Sequence, residues 1–284
     1  MNTIILTPHK ALQPYIQSYV FCELGKAGNW SHTDMAPPGC TSLSITAEGK
    51  DTYIGENGNQ AVKYECITFV GQTTSFKKIV LYDRLKSFFV IFRPCGAYQL
   101  LGVHQGDCRN NCVNLTDILG SQAWYFEDEV SQQITAIDIR SVVEQFFLKR
   151  VNQNTDRFNS IHLAQVIDYI RLNSCKKSLI KKVCRQQGYS ISRLERHMRR
   201  IVGLSPKQYQ RIMRFNAVLK FINNNQFPYN WSQIAQRFGY FDQTHFINEF
   251  KLFYGMTPAE YASNQNYLSD IAFLNDRSKP ANAF

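Results

Sequence analysis

Two stretches in the second half of the chain repeat each other at near-constant offsets. Ile180, Val183, Cys184 and Gly188 recur 51 positions later as Trp231, Ile234, Ala235 and Gly239. Leu194, Met198, Gly203, Ser205, Pro206 and Tyr209 recur 52 positions later as Phe246, Phe250, Gly255, Thr257, Pro258 and Tyr261. The change of offset places one extra residue in the turn of the second copy. A repeat of this kind restricts the fold, because both copies must satisfy the same local rules.

Those rules are physical. Ile180/Val183 and Trp231/Ile234 lie at helical spacing and read as the buried face of a first helix. Cys184 or Ala235 is small enough for a second helix to cross closely. Gly188 or Gly239 supplies the positive φ of a sharp turn. The second helix buries Leu194/Met198 or Phe246/Phe250 and ends at Gly203 or Gly255. Ser205-Pro206 or Thr257-Pro258 then opens the next helix, as an N-cap followed by proline at the first helical position. The unit is a helix-turn-helix, written twice.

Ile161, Ala164, Ile167 and Ile170 start the region at helical spacing. Residues 206–222 read as one connecting helix that buries Tyr209, Ile212, Leu219 and Ile222. Seventeen residues make a rod of about 26 Å. Successive major-groove faces on one side of DNA lie about 34 Å apart. A single chain could then address two adjacent groove segments without dimer symmetry.

The exposed face of each second helix is the candidate reading surface. In the first copy it carries Ser192, Arg193, Glu195, Arg196, Arg199 and Arg200. In the second it carries Gln243, Thr244, Asn248 and Lys251. Arg, Gln, Asn and Glu suit base edges in the major groove. A plain solvated helix face is the competing reading, and four Arg on one short helix argue against it. Asp242 is read as a helix cap, a structural role.

The charge distribution supports the same reading. The 284-residue chain has a formal net charge of +10. Residues 1–150 hold 13 Lys+Arg against 14 Asp+Glu, whereas residues 151–284 hold 19 against 8. Within the basic half, residues 171–214 hold 13 Lys+Arg and one acid, Glu195. Residues 215–262 are neutral, with Lys220, Arg237 and Lys251 against Asp242, Glu249 and Glu260. The first copy should therefore supply most of the attraction to phosphate.

The first half reads differently. Candidate strands at 19–24, 41–47, 52–54, 66–70, 76–82 and 87–92 are separated by Gly/Pro/Asn-rich turns, which argues for a β-barrel or sandwich. Helices follow at 121–132 and 135–150. The second presents Ile139, Val142, Val143, Phe146 and Phe147 as one apolar stripe, read as packing on the barrel in preference to a dimer contact. A small barrel can hold one small ligand. Trp30, Tyr53, Phe69 and Phe88 could line such a pocket, but are read as core in the first place. The effector-binding residues are left unassigned.

Other chemistry finds little purchase. The hydrophobic fraction of 44% and charged fraction of 19% suit a globular chain and exclude a disordered or collagen-like one. The N-terminus has no secretory pattern, and the longest apolar runs, such as residues 88–92, are strand-sized. A cytoplasmic location with no membrane partner is expected. The eight Cys form no Cys-x-x-Cys pair. His104, Cys108 and Cys112 have i, i+4, i+8 spacing, yet their surroundings read as loop and supply no fourth ligand. No metal, cofactor or catalytic residue is assigned, and no phosphate loop or nucleophile elbow occurs.

Residues 160–262 resemble the DNA-binding domain of the AraC/XylS family of bacterial transcription regulators. The most specific part runs from Ile234-Ala235 through Gly239-Tyr240, Asp242 and Phe246 to Phe250-Lys251, Gly255 and Thr257-Pro258. The family pattern there is I-A-x-x-x-G-[FY]-x-[DS]-x-S-x-F-x-x-x-F-K-x-x-x-G-x-T-P. The first copy fits through Gly188-Tyr189-Ser190, Leu194, Arg196, Met198, Gly203-Leu204-Ser205-Pro206 and Tyr209. Arg214 stands where the family places an Arg in its connecting helix. Cys184 and Val218 replace a usual Ala, and Met198 a frequent Phe. Phe92-Arg93-Pro94-Cys95-Gly96-Ala97 with Leu100-Leu101 is similar to an F-x-P-G-G-x-x-x-L-L element of one sensor class, with Cys95 in place of the first Gly.

The resemblance implies an α+β two-domain chain. A cupin-like N-terminal β-barrel with flanking helices, for sensing or dimerisation, would occupy 1–152. An all-α domain with two helix-turn-helix motifs joined by a helix would occupy 160–262, and a tail 263–284. The function implied is sequence-specific binding of double-stranded promoter DNA, with activation of transcription controlled through the N-terminal domain. RNA polymerase, a small-molecule effector and a second copy of the chain are the other partners it suggests. The competing reading is a DNA-tethered enzyme or repair protein with a thiol or metal site in the first half.

Overall fold

The computed structural model of the chain describes residues 3–24, 30–48, 51–54, 61–63, 67–82, 85–133, 135–153, 161–225 and 229–263. Of the sequence expectations, Cys66, nearly all of the tail, and the side chains of Trp30 and Tyr53 lie outside the described residues.

The first half forms two antiparallel sheets. One is six-stranded: β1 (Thr3–Leu6), β2 (Ile16–Leu24), β9 (Leu85–Phe92), β4 (Ser42–Glu48), β7 (Ile67–Val70) and β10 (Cys112–Asn114), in that spatial order. The other is four-stranded: β3 (Trp30–Met35), β8 (Lys77–Tyr82), β5 (Asp51–Ile54) and β6 (Ala61–Lys63). The closed, cupin-like barrel that the resemblance implies is not seen among the described residues. Strands β1 and β10 are open edges of the first sheet, β3 and β6 of the second. Strand alternation marks which side chains turn inward, but pairing across long separations decides whether the sheet closes.

In the larger sheet Phe88, Val90 and Phe92 of β9 point to one face, as period-two alternation requires. They are fully buried with Tyr19, Leu43, Ile45 and Phe69. Phe69 and Phe88 are thus core residues. Four helices follow: α1 (Gly96–Leu101), α2 (Leu115–Leu119), α3 (Ser121–Ser131) and α4 (Ala136–Gln153). The apolar stripe of α4 packs inward, with Ile139, Val143 and Phe147 fully buried. Phe147 meets Phe92 edge-on at 5.8 Å. Helix α1 falls on the segment similar to the sensor-class element.

The second half is helical: α5 (Ile161–Leu172), α6 (Leu179–Gln187), α7 (Ile191–Val202), α8 (Pro206–Asn223), α9 (Trp231–Arg237), α10 (Gln243–Tyr254) and α11 (Pro258–Ser263). The two helix-turn-helix units are α6–α7 and α9–α10, and α8 joins them. The four glycines of the repeat, Gly188, Gly203, Gly239 and Gly255, have φ of 65°, 86°, 72° and 79°. An L side chain is strained there, which is why both copies carry glycine at these points. Pro206 opens α8 behind Ser205, whose hydroxyl accepts from Gln208 N at 3.2 Å while Ser205 N donates to Gln208 Oε1 at 3.2 Å. That reciprocal capping box fixes where the connecting helix begins.

The two halves are docked on each other. Asn216 of α8 donates to Pro38 O at 3.0 Å, and Phe76 N donates to Leu252 O at 3.3 Å. Cys95, from the turn before α1, is buried in the helical core rather than in the sheet core. Helix α8 therefore serves two roles, spacer between the helix-turn-helix units and platform for the N-terminal half.

Candidate nucleic-acid interface

Helix α7 is amphipathic by construction. Ser190 caps it, accepting from Arg193 N at 3.2 Å. Leu194, Met198 and Val202 are fully buried at i, i+4, i+8. The opposite face carries Ser192, Arg193, Arg196, Arg199 and Arg200, all exposed, with Glu195 half-buried. The Arg193 guanidinium lies over the Tyr189 ring at 5.3 Å.

Helix α10 repeats the arrangement with different chemistry. Asp242 caps it through His245 N at 2.7 Å, as the sequence suggests. Phe246, Phe250 and Phe253 face the core, while Gln243, Thr244, Asn248 and Lys251 are exposed. The structure therefore sets the candidate reading residues of each copy on the outer face of one helix.

Two contributors escape the sequence reading. Ser232 of α9 donates to Gln243 Oε1 at 3.1 Å and so orients the Gln243 amide from the neighbouring helix. No sequence signal marks it. Glu249 is the other. It enters the sequence reading only as one charge of the neutral second copy, and its side chain is 1% exposed. Arg211 Nε and Arg214 Nη2 of α8 each reach it at 2.6 Å, and His245 lies at 3.9 Å. Its position three residues after Phe246 puts it on the buried stripe, a signal available to periodicity.

This cluster also revises the electrostatics. Arg211 and Arg214 belong to the basic segment 171–214 but share the carboxylate of Glu249, which offsets one of their two charges, and Arg171 pairs with Asp168 at 3.2 Å. The remaining cations of the segment include the four Arg of α7, all exposed. Arg214 stacks on the Tyr240 ring at 4.0 Å. Burial works against its charge, but Tyr240 and Glu249 prevail and hold its pKa above the ordinary value. On α7, burial first and then Arg193, Arg196 and Arg200 hold the His197 pKa below the ordinary imidazole value.

A cavity of about 540 Å³ lies at the junction of the halves. Pro14, Pro38 and Met213 are among its apolar walls, Arg93 and Lys220 bring positive charge, and Asp168 and Arg171 border it as an ion pair. The size is that of a small-molecule site. Cys95 borders it, with its thiol pushed up to about 12 by burial and by the charge of Asp168. Burial, with Asp107 beside it, likewise raises Cys108 to about 11. His104, Cys108 and Cys112 do not share a helix: the first two lie in turns and Cys112 begins β10. Among the described residues no group of three or more His, Cys, Asp or Glu is placed to hold a metal ion.

Comparison with known proteins bears on the helical half most directly. Residues 183–264 match a family described as a helix-turn-helix domain. The chain carries an AraC-type helix-turn-helix domain. The AraC-type domain is that of DNA-binding transcription regulators. Residues 5–114 match a family described as a domain of unknown function, DUF6597. No curated protein matches the chain.

Among solved structures, ToxT from Vibrio cholerae is similar at 13% identity and a TM-score of 0.44, over 86% of this chain and 98% of that one. An unsaturated fatty acid-bound ToxT from the same organism aligns at 14% identity and a TM-score of 0.44, over 86% and 94%. The xylose-binding transcription activator XylR aligns at 21% identity and a TM-score of 0.32, over 44% of this chain and 39% of that one. No helix of the described residues is long and apolar enough to cross a membrane.

Proposed function

We propose that the chain is a cytoplasmic, sequence-specific regulator that sets α7 and α10 into adjacent major-groove segments of promoter DNA and activates transcription there. The observation that carries this reading is the pairing of two polar helix faces on one rigid connector. Helix α8, with 18 residues, is a rod of about 27 Å. Buried contacts pin it to both units, so the faces are held as one body. Helix α7 provides phosphate attraction and guanine-type donors, and α10 provides amide and hydroxyl groups for base edges. RNA polymerase is the partner through which a promoter-bound activator of this design would act.

Control would come through the N-terminal half. A small organic effector carrying an anionic group fits the junction cavity, where Arg93 and Lys220 bring positive charge from the two halves. The domain limits 1–152 and 160–262 are those the reading uses. The chain acts as a binding protein, not an enzyme. The alternative of a thiol enzyme is disfavoured by the raised pKa values of Cys95 and Cys108, which keep both thiols protonated at neutral pH.

Selection of duplexes from a random pool by the full chain tests the proposal. A defined sequence should emerge, with affinity that falls steeply as salt rises. Arg196→Ala and Gln243→Ala should each relax preference at separate base positions by about 1–3 kcal/mol. Equal binding of all duplexes at physiological salt would remove the specificity claim.

A further inference from the structure

The turns of residues 102–111 in the N-terminal half lie directly beside α7. Gln105 is fully buried. Its backbone N donates to Arg200 O at 3.0 Å, and its Nε2 donates to Ile201 O at 2.5 Å and to Pro94 O at 3.1 Å. The bonds to Arg200 O and Ile201 O satisfy carbonyls of the last turn of α7 that have no partner within the helix, and the bond to Pro94 O ties Gln105 to the N-terminal half. Gly106 follows, so close that a Cβ there would lie 2.7 Å from Arg199 O. On its far side the segment is tied to the sheet domain, with Asn110 N donating to Gln72 O at 2.8 Å and Gly71 N to Asn111 O at 3.0 Å. The segment is thus a wall fixed to both halves.

Between this wall and α7 runs an open cleft of about 560 Å³. On the helix side it is lined by Ser192, Glu195, Arg196 and Arg199, at i, i+3, i+4 and i+7, which is one stripe of the reading face. On the wall side it is lined by His104, Asp107 and Arg109. Arg200 also borders it, and its guanidinium lies over the Tyr98 ring at 5.6 Å. Four Arg thus face two acids. Of the acids, Asp107 is 84% exposed, at the rim and 4.0 Å from His104. Arg109 makes no ion pair with any described acid.

We infer that this cleft is a second phosphate-binding element: it takes the sugar–phosphate backbone of DNA alongside α7, and Arg109 is the phosphate ligand supplied by the N-terminal half. The inference rests on the reading of α7 as a DNA-binding helix. A helix in the major groove is flanked by two phosphate strands, and a cationic wall fixed beside the helix meets one of them. Phosphate contacts set register and orientation without reading sequence, so Arg109 would position α7 rather than add base preference. The N-terminal half would then belong to the DNA interface as well as to its control.

The test uses the full chain and a duplex selected by the wild-type protein, together with an unrelated duplex. Arg109→Ala should weaken both by about 5-fold at moderate salt and lower the slope of log affinity against log salt by about 1, with base preference unchanged. Arg109→Lys should restore much of the loss. Melting of each variant checks that the fold is intact. Unchanged affinity in Arg109→Ala overturns the inference, and tighter binding overturns it in favour of a wall that shields α7. Arg196→Ala separates the two levels of the argument. If it weakens binding while Arg109→Ala does not, only the cleft fails. If neither does, the reading of α7 itself fails.

Discussion

Glu249 of α10 meets Arg214 of α8 at 2.6 Å, with its carboxylate buried on the inner side of α10. Arg211 closes on the same carboxylate at 2.6 Å. The pair ties the orientation of α10 to the connecting rod. A buried carboxylate of this kind is tolerable because two guanidinium groups and their hydrogen bonds replace its water.

Glu249→Gln should therefore be costly. It keeps the shape but leaves Arg214, 12% exposed, without a counter-charge. Removing one partner of a buried pair costs about 3 kcal/mol or more, with the half-exposed Arg211 easing part of it. Chemical denaturation should show a lower midpoint. Base discrimination attributable to α10 should fall further than that attributable to α7.

Ser232→Ala tests the orientation of Gln243. Both residues are surface groups, so stability should change by no more than about 0.5 kcal/mol. Freed of the 3.1 Å bond, Gln243 samples more rotamers, and discrimination at its base should drop. The drop should be smaller than in Gln243→Ala. Binding of single-base variants of the selected duplex measures both.

His197 makes stability depend on pH. Its folded-state pKa lies below the ordinary value of 6.5, through burial and through Arg193, Arg196 and Arg200. The unfolded chain then binds more protons in the window between the two values. Stability is full above 6.5 and declines as pH falls through that window. Melting curves in that range should show the decline, and His197→Gln should flatten that part of it.

A ligand of the junction cavity should raise the melting temperature by mass action. Small organic acids form the screen. Lys220→Ala and Arg93→Ala should each weaken the response of any acid that stabilises the wild-type chain. A response insensitive to both would place its binding elsewhere.

The helical half was legible because its rules are local. Turn glycines, N-caps and i, i+4 apolar pairs act within a few residues, so Gly188, Gly203, Asp242 and the faces of α7 and α10 follow from spacing. Glu249 was within reach of the same rule, but its charge argued for the surface more loudly than its position argued for the core. In the sheet half, short strands show that sheets form but not which edges meet, so the pattern leaves barrel and sandwich open, and among the described residues two open sheets are seen.

The sequence by itself determined the two helix-turn-helix units, the rod between them and the residues on their outer faces, since those depend on backbone conformation and periodicity. Tertiary structure alone decided what lies beside them. Gln105 and Arg200 are 95 positions apart in the chain, yet a backbone bond of 3.0 Å joins them. Arg211 and Arg214 look like free cations until the fold brings the one carboxylate of Glu249 to both. Such pairings arise from packing across long separations, and periodicity can mark a residue as buried but not the partner it meets.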